Sequence, residues 1–261
     1  MNKLKSAMLS MAAAAALFAG GAQAAETVKM GVAAEPYPPF TVPDAQGNWS
    51  GWEIDIAQAV CAAEDLDCVI TPVAWDGIIP ALTSGKIDMI VASLSITDAR
   101  EKIIDFSDKY YTSPTVVIEA KGAGIDAVTN EALDGMLLGV QGASIHEKYA
   151  RKHFPDATIK IYATQDEANQ DLYAGRLDAV QADGLALDDF LKSEDGIACC
   201  ELVGNVEPDP SVISADVGFG IRQDDTALKD KLNAGIAAIL ENGTYEKISD
   251  EYFDFDIYGG N

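Results

Sequence analysis

The chain has 261 residues, and its 42 acidic against 18 basic side chains give a formal net charge of −24. A body this acidic repels nucleic acid and anionic lipid, so neither is an expected partner. The length suits one large domain or two of ordinary size.

In chain order, the first expected feature is an export signal over residues 1–24. Lys3 and Lys5 form its basic start, Met8 to Ala19 its small-residue apolar run, and Ala22-Gln23-Ala24 an A-x-A cleavage site. Cleavage would start the mature chain at Ala25. Losing the two lysines takes the charge from −24 to −26. The apolar run is too short and too alanine-rich to span a bilayer, and no later stretch reaches spanning length. No cysteine follows the cleavage site closely, so no lipid anchor is expected. The expected location is the periplasm of a bacterium with two membranes.

Short apolar runs predict strands at Val28–Val32, Cys68–Thr71, Met89–Ala92, Val116–Glu119, Leu137–Val140, Ile159–Tyr162, Ala179–Ala182 and Val217–Ile221. Helical patterns fall between them near Glu53–Cys61, Gly77–Ser84, Asp98–Ile104, Ile145–Lys152, Glu167–Ala174 and Leu185–Leu191. The clearest helix is Thr226–Glu241, with Leu228, Leu232, Ile236, Ile239 and Leu240 on one face and Gly243 as its stop. Alternation of this kind predicts an α/β fold with open, mostly parallel sheets covered by helices. Ligands of such sheets bind beyond the carboxyl ends of the strands.

Two segments of one design lie ninety positions apart. The first runs from Trp75-Asp76 through Leu82 and Gly85-Lys86-Ile87-Asp88 to Ser93. The second runs from Gln165-Asp166 through Leu172 and Gly175-Arg176-Leu177-Asp178 to Asp183. Each reads as a capped helix, a glycine stop and a strand ending in a polar residue, which predicts two similar lobes.

The polar residues that follow these strands form a coherent set. The segment Ser93-Leu94-Ser95-Ile96-Thr97-Asp98-Ala99-Arg100 leaves a strand with hydroxyls and enters a helix, where Asp98 and Glu101 have capping-box spacing. A guanidinium in that first turn can take both oxygens of a small carboxylate. Glu35, Tyr37 and Phe40 follow the first strand, Trp75 the second, Gln141 and Ser144 a later one, and Asp183 another. The set holds a cation for a carboxylate, an acid for an ammonium and aromatics for a side chain, as a free α-amino acid requires. Each member also has a plainer role: Tyr37 and Phe40 as core, Trp75 as a helix cover, Asp183 as a helix cap. Their shared edge favours the site.

Four cysteines in an oxidising compartment suggest disulfides. A local Cys61–Cys68 bridge would close a short loop between a helix and the next strand. Cys199 and Cys200 either form a vicinal bond or stay reduced, and cross-pairing ranks last. Cysteine spacing and distant His146 and His153 argue against zinc, and no metal or cofactor is expected.

These motifs resemble the polar amino-acid binding proteins of ABC importers, bacterial solute-binding protein family 3, almost from end to end of the mature chain. The resemblance rests on Tyr37-Pro38-Pro39-Phe40, Gly51-Trp52-Glu53-Ile54-Asp55, Trp75-Asp76-Gly77-Ile78-Ile79-Pro80, Ser93-Leu94-Ser95-Ile96-Thr97 with Arg100, and Asp105-Phe106-Ser107. It continues in Gly139-Val140-Gln141-Gly142, Gly175-Arg176-Leu177-Asp178 and Tyr252-Phe253-Asp254-Phe255. The tail and the Cys61–Cys68 spacing are closest to the lysine/arginine/ornithine- and histidine-binding branch.

The resemblance implies a two-lobed periplasmic binding protein fold with a two-strand hinge. Lobe one would hold residues 26–113 and 216–261, and lobe two residues 114–215. Arg100 would grip the ligand carboxylate with help from Ser93, Ser95 and Ser144. Asp183 would take the ammonium, and Tyr37 and Trp75 would flank the side chain. Glu35 could meet a distal cation, so a basic amino acid (arginine, lysine, ornithine or histidine) is expected, delivered by a monomer to an inner-membrane ABC permease. Three departures from the family bear on specificity: Ile145 where threonine is frequent, Glu35 two rather than three positions before Tyr37, and His146 where glutamine is common. Alternatives are a neutral polar amino acid or an opine-like derivative, a sensor domain, and a dehydratase on the same fold with Glu35 or His146 as acid.

Overall fold

The computed structural model describes residues 25–259, so the expected export signal lies outside it. The chain forms β1 (Glu26–Ala33), the hairpin β2 (Val42–Pro43) and β3 (Trp49–Ser50), α1 (Trp52–Ala63), β4 (Leu66–Val73), α2 (Ile78–Thr83), β5 (Met89–Ile90), α3 (Asp98–Glu101) and β6 (Asp105–Thr112). Next come β7 (Thr115–Ala120), β8 (Leu137–Gln141), α4 (Ile145–His153), β9 (Thr158–Tyr162), α5 (Gln165–Tyr173), β10 (Ala179–Asp183), α6 (Gly184–Lys192), α7 (Glu194–Cys199) and β11 (Cys200–Asn205). The chain then returns through β12 (Asp216–Ile221), α8 (Thr226–Glu241) and α9 (Thr244–Ser249).

Two five-stranded sheets result, ordered β4-β1-β5-β12-β6 and β11-β7-β10-β8-β9. The two-lobed α/β class is as expected, but the sheets are mixed rather than mostly parallel. In each, the helix-linked strands pair in parallel (β4, β1 and β5; β9, β8 and β10). The strands that carry the chain between sheets pair antiparallel (β12 and β6; β7 and β11). Charged or polar residues interrupt the apolar pattern of β6 and β11, which is why neither was expected as a strand.

The repeated segment builds both sheets alike. Gly85 and Gly175 stop their helices at φ +73° and +69°. Three residues on, Asp88 Oδ2 accepts from Lys29 N at 3.0 Å and Asp178 Oδ2 from Leu137 N at 2.7 Å. Each carboxylate ties its strand, β5 or β10, to the parallel neighbour, β1 or β8. The residue before each aspartate fills a notch left by a glycine of that neighbour. A Cβ on Gly31 would lie 2.2 Å from Ile87 Cδ1, and one on Gly139 would lie 2.4 Å from Leu177 Cδ1.

The chain passes between the two sheets through residues 113–114 and 206–215, and hydrogen bonds link the segments around these passages. Ser113 N donates to Ala215 O at 2.8 Å, and Val206 N to Thr115 O at 3.0 Å. The first lobe's core holds the buried aromatics Phe40, Trp52, Tyr110, Tyr111, Phe219 and Tyr245, with Trp52 Nε1 donating to Ser249 Oγ at 3.0 Å to pin α1 to α9. Phe40 is therefore core, stacked on Tyr111. Cys61–Cys68 is bonded, and Cys199 and Cys200 form the vicinal bond. The helix cap expected at Asp98 falls one residue earlier, where the Thr97 side chain accepts from Arg100 N.

Candidate ligand-binding site

A cavity opens between the lobes beyond the ends of β1, β5 and β10, and every site residue expected from the sequence lines it: Glu35, Tyr37, Trp75, Ser93, Ser95, Arg100, Gln141, Ser144 and Asp183. Arg100, in the short α3, is only 7 % exposed. Its Nη1 donates to Ser95 O at 2.8 Å, and its Cζ lies 5.9 Å from the Trp75 ring centroid. Among the described residues no carboxylate lies within 4.0 Å of its nitrogens. Burial pushes its pKa down to about 10, with Asp183 pulling the other way. The guanidinium thus stays cationic near neutrality, with donors unused.

Asp183 ends β10 and is 5 % exposed. It occupies the cap position of α6, yet its side chain makes no capping bond. Instead Oδ2 accepts from the Tyr37 hydroxyl at 2.7 Å, and Oδ1 lies 3.4 Å from His146 Nε2. Desolvation first, and then the Asp183 carboxylate, hold the Tyr37 phenol well above its usual range, so it remains a donor. Among the described residues, no lysine or arginine nitrogen approaches Asp183 within 4.0 Å. A buried charge left without a partner is costly. Here a cation and an anion, one from each lobe, line one cavity, the first with no carboxylate and the second with no lysine or arginine within 4.0 Å among the described residues.

The other residues divide by how much they can offer. Glu35 Oε2 accepts from Trp75 N at 3.0 Å, and Trp75 Nε1 donates to Gly142 O at 3.1 Å. The indole thereby bridges the lobes. Gln141 Nε2 donates to Ala163 O at 3.3 Å. Ser144 caps α4, accepting from Glu147 N at 3.1 Å and donating to Gln141 O at 2.6 Å. Its hydroxyl proton is therefore engaged by Gln141 O. Ile145 adds an apolar wall and His146 a ring against Asp183, with Nδ1 3.5 Å from Thr115 Oγ1.

Ser93, which lines the cavity, and Ala143, between its lining residues Gln141 and Ser144, carry two of the three positive φ values (+50° and +56°) among the described non-glycine residues. Backbone strain concentrates where a site demands a particular geometry. The Ser93 turn is held by a residue to which the sequence reading gave no role. Glu53, fully buried in α1, accepts from Ser93 N at 2.7 Å, from Ser93 Oγ at 3.2 Å and from the Tyr110 hydroxyl. An acid on the buried face of α1, beside Trp52, Ile56, Ala57 and Val60, was the signal that could have revealed it.

Opposed unpaired charges in a hinged cleft define a two-lobed receptor for a small zwitterion. The chain belongs to the bacterial extracellular solute-binding proteins, family 3, whose profile matches residues 28–255. It is 39 % identical over 237 residues to the L-arginine-binding protein of Pseudomonas aeruginosa, covering 90 % of each chain. It is 37 % identical over 237 residues to the lysine/arginine/ornithine-binding periplasmic protein of Escherichia coli, again covering 90 % of each. Among solved structures, an ancestral arginine-binding protein bound to arginine matches with a TM-score of 0.78 at 32 % identity, over 88 % of this chain and all of that one. An ancestral amino acid-binding protein described as a precursor of cyclohexadienyl dehydratase matches with a TM-score of 0.76 at 30 % identity, over 87 % and 95 %.

Proposed function

We propose that this protein is a periplasmic receptor that captures a basic amino acid by lobe closure and delivers it to an inner-membrane ABC permease. Residues 1–24 would export it and be removed. Lobe one would comprise residues 26–113 and 216–261, lobe two residues 114–215, and the working form would be a monomer. The observation that carries the reading is the pair of buried, unmatched charges on opposite lobes. Arg100 takes the ligand α-carboxylate while the cleft is open. Closure brings Asp183 onto the α-ammonium, with Tyr37 sharing that carboxylate. The desolvated zwitterion then has a partner at each end.

The side chain would lie between Tyr37 and Trp75, whose faces suit an aliphatic stem or a flat cation, and Glu35 supplies negative charge nearby. Relatives named for arginine, lysine and ornithine support the same ligand class. The contacts of the candidate acids support binding rather than catalysis. Glu35 accepts from the Trp75 amide and His146 faces Asp183, whereas a dehydratase needs an acid positioned on the leaving group.

A thermal-shift and calorimetry panel tests the proposal, because a tight ligand raises apparent stability. L-Arginine, L-lysine, L-ornithine and L-histidine are expected to stabilise the protein more than L-glutamine or an opine. Stabilisation by none of the free amino acids would overturn it.

A further inference from the structure

Glu53 Oε1 already takes two donors, the Ser93 N–H and the Tyr110 hydroxyl, whereas Oε2 meets Ser93 Oγ alone, at 3.2 Å. That last contact can run either way. If Glu53 is ionised, the Ser93 hydroxyl must donate to it, which turns the hydroxyl's lone pairs towards the cavity that Ser93 lines. If Oε2 carries a proton, it donates to Ser93 Oγ, and the Ser93 proton is released to point into the cavity. A carboxylate arriving there repels the first arrangement and accepts a hydrogen bond from the second.

We propose that Glu53 is a positioning residue that sets the direction of the Ser93 hydroxyl and takes up a proton when the ligand carboxylate binds. The inference rests on the carboxylate lying against Ser93 and Arg100, as argued above. The surroundings of Glu53 suit the exchange. Tyr110 and Tyr111 face it from β6, both kept neutral chiefly by burial, and the Tyr111 hydroxyl lies close enough to feel the Ser93 hydroxyl. Tyr245 lies behind them, and the charge of Asp183 and the phenol of Tyr37 act on Glu53 from the cleft. Arg100 and His146 line the same cavity as Ser93. Burial raises the Glu53 carboxyl to about 7, against the hydrogen bonds from Tyr110 and Ser93 and with help from Asp183. Near neutrality the free protein therefore holds both forms. A bound carboxylate raises this value further, so affinity is full below the free-state value and falls as pH climbs through the bound-state one.

Calorimetry with L-arginine at about pH 7.5, in buffers of different ionisation enthalpy, reads the proton directly. The wild type is expected to take up a fraction of a proton and to lose up to about tenfold in affinity per pH unit above neutrality. In Glu53→Gln, Oε1 can keep its two donors while the amide donates permanently to Ser93 Oγ. That variant is expected to lose both the uptake and the slope, and to bind more tightly than wild type by roughly tenfold near pH 8.5. The ligand ammonium titrates identically against both proteins and cancels. No uptake by wild type, or equal uptake by Glu53→Gln, overturns the inference. Should Glu53→Gln fail to fold, Ser93→Ala keeps the acid but lacks the hydroxyl, and unchanged uptake in that variant overturns it equally. Arginine binding without proton exchange would defeat this inference alone, whereas no arginine binding by wild type would remove the proposed function with it.

Discussion

The two lobes share one scaffold and end in opposite chemistry. In each, a glycine-stopped helix leads to an aspartate that ties its strand to a parallel neighbour, and a glycine of that neighbour accepts the apolar side chain before the aspartate. Past that point they diverge. The first lobe leaves its strand through the left-handed Ser93 turn, which carries hydroxyls and leads on to a buried arginine. The second ends directly in Asp183, set beside His146. Scaffold residues fix where each edge lies, and a few residues beyond it decide the sign of the charge displayed. The ligand's two charges would then be read by separate bodies, so that full affinity requires closure.

The largest expected effect comes from removing either charge. Arg100→Ala and Asp183→Ala should each cost about 3–5 kcal/mol, or two to three decades in affinity, because a desolvated ligand charge loses its partner. Titration calorimetry with circular dichroism measures both binding and folding. Near-normal affinity in either folded variant would break the assignment. Stability is the next test. Gly31→Ala and Gly139→Ala should each lower unfolding free energy by about 1–3 kcal/mol through overpacking against Ile87 and Leu177. Similar losses in chemical denaturation would sharpen the equivalence of the lobes. A loss confined to one of them would break it.

The Cys61–Cys68 bridge exists in the first lobe only. Opening it with paired serines should remove about 2–4 kcal/mol of stability, while arginine affinity, set elsewhere, holds steady. A change in affinity would show that the first lobe's helix-to-strand loop reaches the site. Smallest is the interlobe hydrogen bond of Trp75. Trp75→Phe keeps a ring against Arg100 but gives up the bond to Gly142, and should weaken binding by about fivefold to tenfold, chiefly through faster release. Stopped-flow fluorescence would test this, and an unchanged dissociation rate would count against the indole as a latch.

Much of this was legible in the residue order. Period and glycine stops located the parallel strands and most helices, because each helix-linked strand carries a short apolar run bounded by turn or helix signals. The hinge-bearing β6 and β11 were not legible: Asp105, Asp108 and Lys109 in one, and Glu201 and Gly204 in the other, break the period, and their pairing is set by partners distant in sequence. At the site, residue type and position beyond strand ends singled out Arg100 and Asp183, which the structure brings to one cavity. What escaped was whether each polar group was already engaged. Ser144 is taken by its own helix and Glu35 by the Trp75 amide, whereas Asp183 leaves its helix uncapped. Glu53 escaped for a related reason: an acid within an apolar face reads as a lapse in pattern until its three donors are visible.

A crystal structure with L-arginine bound addresses the main proposition most directly. The expected density has the carboxylate forked on Arg100, the ammonium on Asp183 and both lobes touching one molecule. Arginine bound in reverse, or seated outside the interlobe cleft, would contradict the account.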